Sequence, residues 1–175
     1  MRELLLFRHA KSSWDRPDVG DHDRDLTQRG ERAAARMGKL LREADILPDR
    51  VLCSTAKRAR RTWEIARAEL PTVPETVLCE ALYMAAPQRM LEVIRQHGGD
   101  AGRLMLVGHN PGMQELAVRL ARRGDAPLRR RLAAKFPTAT LARFRLAVDD
   151  WTTPVDAAAE LLDFWRPVDL EDAGG

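Results

Sequence analysis

Four short apolar runs, each halting at polar or charged residues, limit what this chain can fold into. Leu4-Leu5-Leu6-Phe7 stops at Arg8-His9, Val51-Leu52-Cys53 at Ser54-Thr55, Val77-Leu78-Cys79 at Glu80, and Leu104-Met105-Leu106-Val107 at Gly108-His109. Runs this short and this continuously apolar read as strands, the first and the fourth of them buried. Helical patterns lie between them. Thr27 is placed to cap a helix with Ala33, Ala34, Met37, Leu40 and Leu41 on one face, ending before Pro48. A second helix is expected from about 58 to 70. A third runs over 87–97, opened by Pro87 and closed by Gly98-Gly99, and a fourth opens at Asn110-Pro111 as N-cap and first helical residue. Residues 10–25 read as loop, 129–131 as a basic stretch, 138–148 and 161–165 as further strands, and the chain from Asp169 as a frayed tail.

Strands alternating with helices predict an α/β fold: a mostly parallel sheet flanked by helices in three layers. One domain over 1–168 accommodates it, with 169–175 as an acidic tail. In such sheets ligands bind beyond the carboxyl ends of the strands. Arg8-His9, Ser54 to Arg58, Glu80 and His109 all follow strands, so all are expected at that one end.

Composition narrows the function classes. The chain has 175 residues, 45% hydrophobic and 31% charged, which is globular. No apolar stretch approaches the roughly 20 residues that span a bilayer, and the apolar run near Met1 is short for a secretory leader. The expectation is a cytoplasmic protein without a membrane partner. Cys53 and Cys79 fit neither a metal spacing nor a redox pair and read as buried, inert thiols. The net charge is +3, yet from Asp149 onward eight acidic side chains face only Arg166, so the first 148 residues hold a surplus of ten positive charges. The arginines are scattered along helical patterns with no aromatics interleaved, which reads as compositional bias and argues against a nucleic-acid partner.

The polar groups at the strand ends suit phosphate chemistry. Arg8 and Arg58 can grip phosphate oxygens, and a helix opening after His109 adds a dipole that favours negative charge. There is no Gly-rich phosphate loop ending in Lys-Ser or Lys-Thr. The arginine position of a Cys-x5-Arg cradle is Ala59 after Cys53 and Ala85 after Cys79. His9 is therefore the candidate nucleophile, kept neutral by adjacent cations, and His109 a candidate donor to a phosphoryl oxygen. No carboxylate and histidine cluster with metal-ligand spacing surrounds them, so no metal or other cofactor is expected. His22 and His97 read as ordinary structural histidines.

These blocks carry a resemblance. Leu6-Phe7-Arg8-His9-Ala10 resembles the Arg-His-Gly signature of the histidine phosphatase superfamily. Ser54 to Thr62 resembles its Ser-x-x-x-Arg-Ala-x-x-Thr block, and Val107-Gly108-His109-Asn110 its late Gly-His block. Arg8-His9-Ala10-Lys11-Ser12, Arg24-x-Leu26-x-x-x-Gly30 and Gly108 to Gly112 point to the branch similar to SixA phosphohistidine phosphatases. The resemblance implies a phosphoenzyme on His9 and a phosphate pocket of Arg8, Arg58 and His109. Ala10 replaces the usual glycine, so the backbone there must keep an ordinary φ. Glu80 matches the place where some relatives carry a general acid, and it reads equally as a loop carboxylate. Only residues 80–86 separate the third strand from the next helix, too few for a lid. An open site suits a protein-borne phosphate; a small phosphomonoester, or binding without catalysis, are the competing readings.

Overall fold

A computed structural model describes residues 1–155 and 159–170 of the chain. Seven strands form one sheet: β1 (Arg2–Arg8), β2 (Arg50–Ser54), β3 (Glu75–Cys79), β4 (Arg103–Gly108), β5 (Arg123–Gly124), β6 (Leu141–Leu146) and β7 (Ala159–Trp165), in the order β3-β2-β4-β1-β6-β7-β5. All pairings are parallel except those of β6, which runs antiparallel to both β1 and β7. The helices are α1 (Gln28–Glu43), α2 (Lys57–Arg67), α3 (Pro87–His97), α4 (Gly112–Leu120), α5 (Ala126–Ala134) and α6 (Pro167–Leu170).

The continuous apolar runs divide by alternation. Leu5, Phe7, Val51, Cys53, Met105 and Val107 face a core shared with α1 and α2. Leu4, Leu6, Leu52, Leu104 and Leu106 face a second core with α3, α4 and α5. Strand side chains alternate between faces, so a strand covered on both sides must be apolar throughout. Among the described residues no lid subdomain covers the carboxyl end of the sheet, and no helix is long and apolar enough to cross a membrane.

Several boundaries differ from expectation. Thr27 Oγ1 accepts from Gly30 N at 3.0 Å, as a cap should, and α3 runs over the expected residues. The second helix stops at Arg67, and the strand expected over 138–148 pairs only from Leu141 to Leu146. The loop before α1 holds a 3-10 turn at Asp21–Asp23 and a bridge between Ser12 and Leu26. The basic stretch 129–131 is helical, within α5, where Asp125 caps Leu128 N. Asn110 does not cap α4: the helix starts at Gly112 after Pro111, and Asn110 Oδ1 accepts from Gln114 N at 3.2 Å. Asp169 and Leu170, expected in a frayed tail, belong to α6, where Asp169 pairs with Arg166 and Arg131; residues 171–175 lie outside the described chain. Both cysteines are buried and free, and burial pushes the Cys53 thiol up to about 12.

Helix α1 lies against α2 at Gly38, where an added Cβ would overlap the Ala66 carbonyl. Gly38→Ala should force the helices apart and cost about 1–3 kcal/mol in urea unfolding, despite alanine's better helix propensity. A neutral or stabilised variant would contradict this packing.

Candidate active site

Parallel pairing sets Arg8 opposite Gly108, so the residues that follow, His9 and His109, leave adjacent strands side by side. Their ring centroids are 5.1 Å apart. The His9 backbone is held on two sides: its N–H donates to Gly108 O at 3.1 Å, and its carbonyl accepts from Ala139 N at 2.9 Å. Ala139 takes a positive φ of 60° to do so. Ala10 keeps an ordinary φ, as expected, and its N–H donates to Thr62 Oγ1 at 2.9 Å. Thr62 Oγ–H in turn donates to Arg58 O at 2.6 Å, so one buried hydroxyl ties the His9 loop to α2. Gly30 lets α1 approach the Lys11 carbonyl closely behind the same loop.

The imidazole tautomers follow from their partners. His9 Nδ1 lies 2.7 Å from the Ala10 carbonyl, which can only accept, so Nδ1 carries the proton and Nε2 keeps its lone pair. His109 Nε2 lies 2.8 Å from Ser54 Oγ, which also accepts from Ala56 N at 3.2 Å. When the Ser54 hydroxyl donates to Nε2, the His109 proton sits on Nδ1. Burial pulls His9 down to about 4, with the charges of Arg58, Arg8 and Arg24 adding to it and the Ala10 bond opposing it. The adjacent cations that the sequence suggested as the cause thus come second to desolvation. His109 falls to about 3, again mainly by burial, with His9 and Arg58 contributing.

Among the described residues, buried side-chain nitrogens and oxygens without a hydrogen-bond partner are few, and three of them belong to this cluster: Arg8 Nε, Arg58 Nε and His109 Nδ1. Buried donors are nearly always paired, so the two guanidinium Nε–H groups together, with His109 Nδ1 a third donor when Ser54 donates to Nε2, mark a place suited to an anion. Arg8 spends Nη1 on Phe136 O at 3.0 Å. Arg58, 2% exposed, gives Nη1 to Asp21 O at 2.7 Å and Nη2 to Asp21 Oδ2 at 3.1 Å.

Asp21 is a residue that sequence reasoning missed. It also accepts from Arg24 Nε at 3.1 Å and from the Tyr83 hydroxyl. The Tyr83 bond, with the Arg58 charge and the arginine bonds, holds its carboxyl down at about 2. Tyr83 comes from the short connection between β3 and α3 and sets its ring edge-on to His109, centroids 5.5 Å apart. His22, read as merely structural, stands at the same rim: its Nε2 lies 2.9 Å from Thr55 Oγ1, and its ring meets Tyr83 at 4.8 Å. The spacing of Arg24 and Leu26 before Gly30 was the available signal that this loop matters. His97 lies elsewhere, at the end of α3. Glu80 follows β3 but is exposed, and its carboxylate makes no hydrogen bond or ion pair among the described residues.

The model of the histidine phosphatase superfamily, branch 1, matches residues 4–142. An uncharacterised protein of Mycobacterium tuberculosis is 39% identical over 164 residues, 92% of this chain and 99% of its own. A solved structure from Nakamurella multipartitia, provisionally assigned as phosphohistidine phosphatase SixA, superposes with a TM-score of 0.81 at 29% identity, covering 95% of this chain and 96% of that one. One from Agrobacterium tumefaciens with the same provisional assignment gives 0.80 at 28%, covering 95% and 98%.

The depressed imidazoles make stability depend on pH. An unfolded histidine titrates near 6.5, whereas His9 and His109 stay neutral in the fold to about 4 and 3. Between these limits the unfolded chain binds more protons, so this stability is complete above about 6.5 and is lost as pH falls through the folded values. Urea unfolding should show stability declining from about pH 7 to 5, before most carboxylates titrate, and declining less in His9→Ala. A flat profile in wild type would mean that the rings are not held neutral.

Proposed function

The chain belongs to branch 1 of the histidine phosphatase superfamily and is a phosphatase, and from that premise we propose that it hydrolyses protein phosphohistidine through a phosphoryl group carried on His9. One observation carries this reading: a neutral imidazole with Nε2 free, clustered with the unpartnered donors Arg8 Nε and Arg58 Nε and with His109 Nδ1, which also has no partner. Nε2 attacks phosphorus, forming the P–N bond as the bond to the leaving group breaks. The Nδ1–H bond to the Ala10 carbonyl then steadies the positive charge that the ring acquires. Arg8, Arg58 and His109 offset charge on the phosphoryl oxygens. Water attacks phosphorus in the second step, releasing inorganic phosphate and returning His9 to neutrality. No group of three or more His, Cys, Asp or Glu side chains among the described residues is placed to hold a metal ion, and the proposed steps call on none.

The choice of phosphohistidine follows from proton supply. Expelling an alkoxide needs a general acid, typically worth about 10² to 10⁴ in rate. Near the site Asp21 is ionised, Tyr83 donates its proton to Asp21, and the imidazoles are neutral. Glu80 is exposed, and its carboxylate makes no hydrogen bond or ion pair among the described residues. An imidazole leaving group, itself protonated near neutral pH, needs less help. The absence of a covering subdomain among the described residues also suits a phosphate carried on a protein.

Brief exposure to labelled substrate should put an acid-labile, base-stable phosphate on the enzyme. His9→Ala should abolish that label and lower turnover about 10³-fold or more. An unaltered label in the variant would end this reading.

Glu80→Gln should change turnover little on any substrate, and wild type should favour phosphohistidine and aryl phosphates over alkyl phosphates in a parallel substrate panel. Faster hydrolysis of sugar phosphates than of phosphohistidine would favour a small-molecule phosphomonoesterase instead.

A further inference from the structure

A groove of about 700 Å³ opens between the first half of α1, the chain after α5 and α6. Six cationic residues line it, Lys11, Arg29, Arg32, Arg36, Lys135 and Arg166, and among the described residues no acidic one does. Arg29, Arg32 and Arg36 come from α1, and the other three from the carboxyl end of the sheet. Lys11 follows the His9 loop, Lys135 precedes β6 (antiparallel to β1), and Arg166 follows β7. The groove is bound to the site through the backbone, since Thr27 N donates to Lys11 O and Ala139 N to His9 O.

The charges there are largely uncompensated. Lys11, Arg29, Arg32 and Lys135 are exposed and make no ion pair among the described residues. Arg36 Nη1 pairs with Glu43 Oε2 at 3.5 Å without a hydrogen bond, and Arg166 is engaged by Asp169 at 2.7 Å. Toward the other end of the sheet the arginines are neutralised, Glu3 binding both Arg103 and Arg143 and Asp163 binding Arg143 again. Helix stability does not call for this arrangement either. Arg29 and Arg32 lie near the amino terminus of α1, where the macrodipole disfavours cations.

We propose that this groove binds an acidic segment of the phosphoprotein substrate, running beside the phosphorylated residue, so that it selects among substrates while the His9 pocket does the chemistry. Arg29, Arg32 and Arg36 recur at helical spacing on one side of α1 over about 10 Å. That is the reach of roughly three residues of extended chain. Lys11 and Lys135 flank the row. A row of point charges fits a string of carboxylates; a single small dianion would engage only part of it. Ala33, Pro137 and Val168 add apolar surface for the backbone and side-chain stems of such a segment.

The substrate part of this inference rests on the phosphohistidine reading, and the experiment separates the two. Arg29→Glu/Arg32→Glu changes exposed residues outside the catalytic cluster and suits the helix dipole. Wild type should hydrolyse a phosphohistidine peptide with Asp/Glu-rich flanks about tenfold more efficiently than one with Asn/Gln flanks, an advantage that shrinks with added salt. The double variant should lose that preference through KM and keep its p-nitrophenyl phosphate turnover. By fluorescence anisotropy, an unphosphorylated Asp/Glu-rich peptide should bind wild type and be released by the double variant. Retained binding of that peptide with no phosphohistidine hydrolysis would refute the substrate reading and uphold the groove. Equal rates on both flanks, equal loss on p-nitrophenyl phosphate, or tighter binding of a single-stranded oligonucleotide than of the acidic peptide would overturn the groove proposal.

Discussion

The parallel pairing of β1 with β4 is the contact on which the site depends. Arg8 faces Gly108 in that ladder, so both histidines emerge at the same level, though about a hundred residues apart in sequence. Because β2 lies on the far side of β4, Ser54 arrives beside His109 and orients its ring. Packing on both faces of these strands also dries the site, and drying is the main reason both imidazoles stay neutral. A slip of one residue in this ladder would turn one histidine to the opposite face of the sheet.

Charge is arranged around that dry pair with little redundancy. A cation as buried as Arg58 needs a partner, and Asp21 supplies one with both its carbonyl and its carboxylate while leaving Nε unused. Asp21 is itself kept ionised by Tyr83, Arg24 and Arg58, so the loop before α1, the start of α2 and the β3–α3 connection meet at one carboxylate. Thr62 couples the same helix to the His9 loop by a separate bond. Guanidinium orientation and imidazole position are thus set by different contacts.

Beyond the pocket, the carboxyl end of the sheet stays open and positive. The β3–α3 connection contributes Tyr83 and Met84 to the rim and no covering subdomain. Cations from the His9 loop, α1, the α5–β6 connection and the junction between β7 and α6 line the groove. Five cations of the first 148 residues, Lys11, Arg29, Arg32, Arg36 and Lys135, meet there with Arg166.

Local chemistry made much of this molecule legible in the sequence. Continuous apolar runs specified β1, β2 and β4 as buried strands, because alternate residues must satisfy two cores, whereas β3 stands at the sheet edge with Leu78 exposed. Thr27 and Pro87 marked helix starts, because a cap or a fixed φ acts within one turn. The sequence blocks brought Arg8, His9, Arg58 and His109 together as candidates, and the strand ends they follow meet in the fold. Asn110 misled, since a residue that looks like a cap can reach Gln114 instead. Helix α5 escaped because Leu132 is its sole buried residue, which leaves little periodicity to read. Only tertiary structure decided that β6 runs antiparallel, that Asp21 and Tyr83 close on Arg58 and His109, and that His22 stands at the rim. Those contacts join distant segments through pairing direction and side-chain reach, which no local pattern of residues encodes.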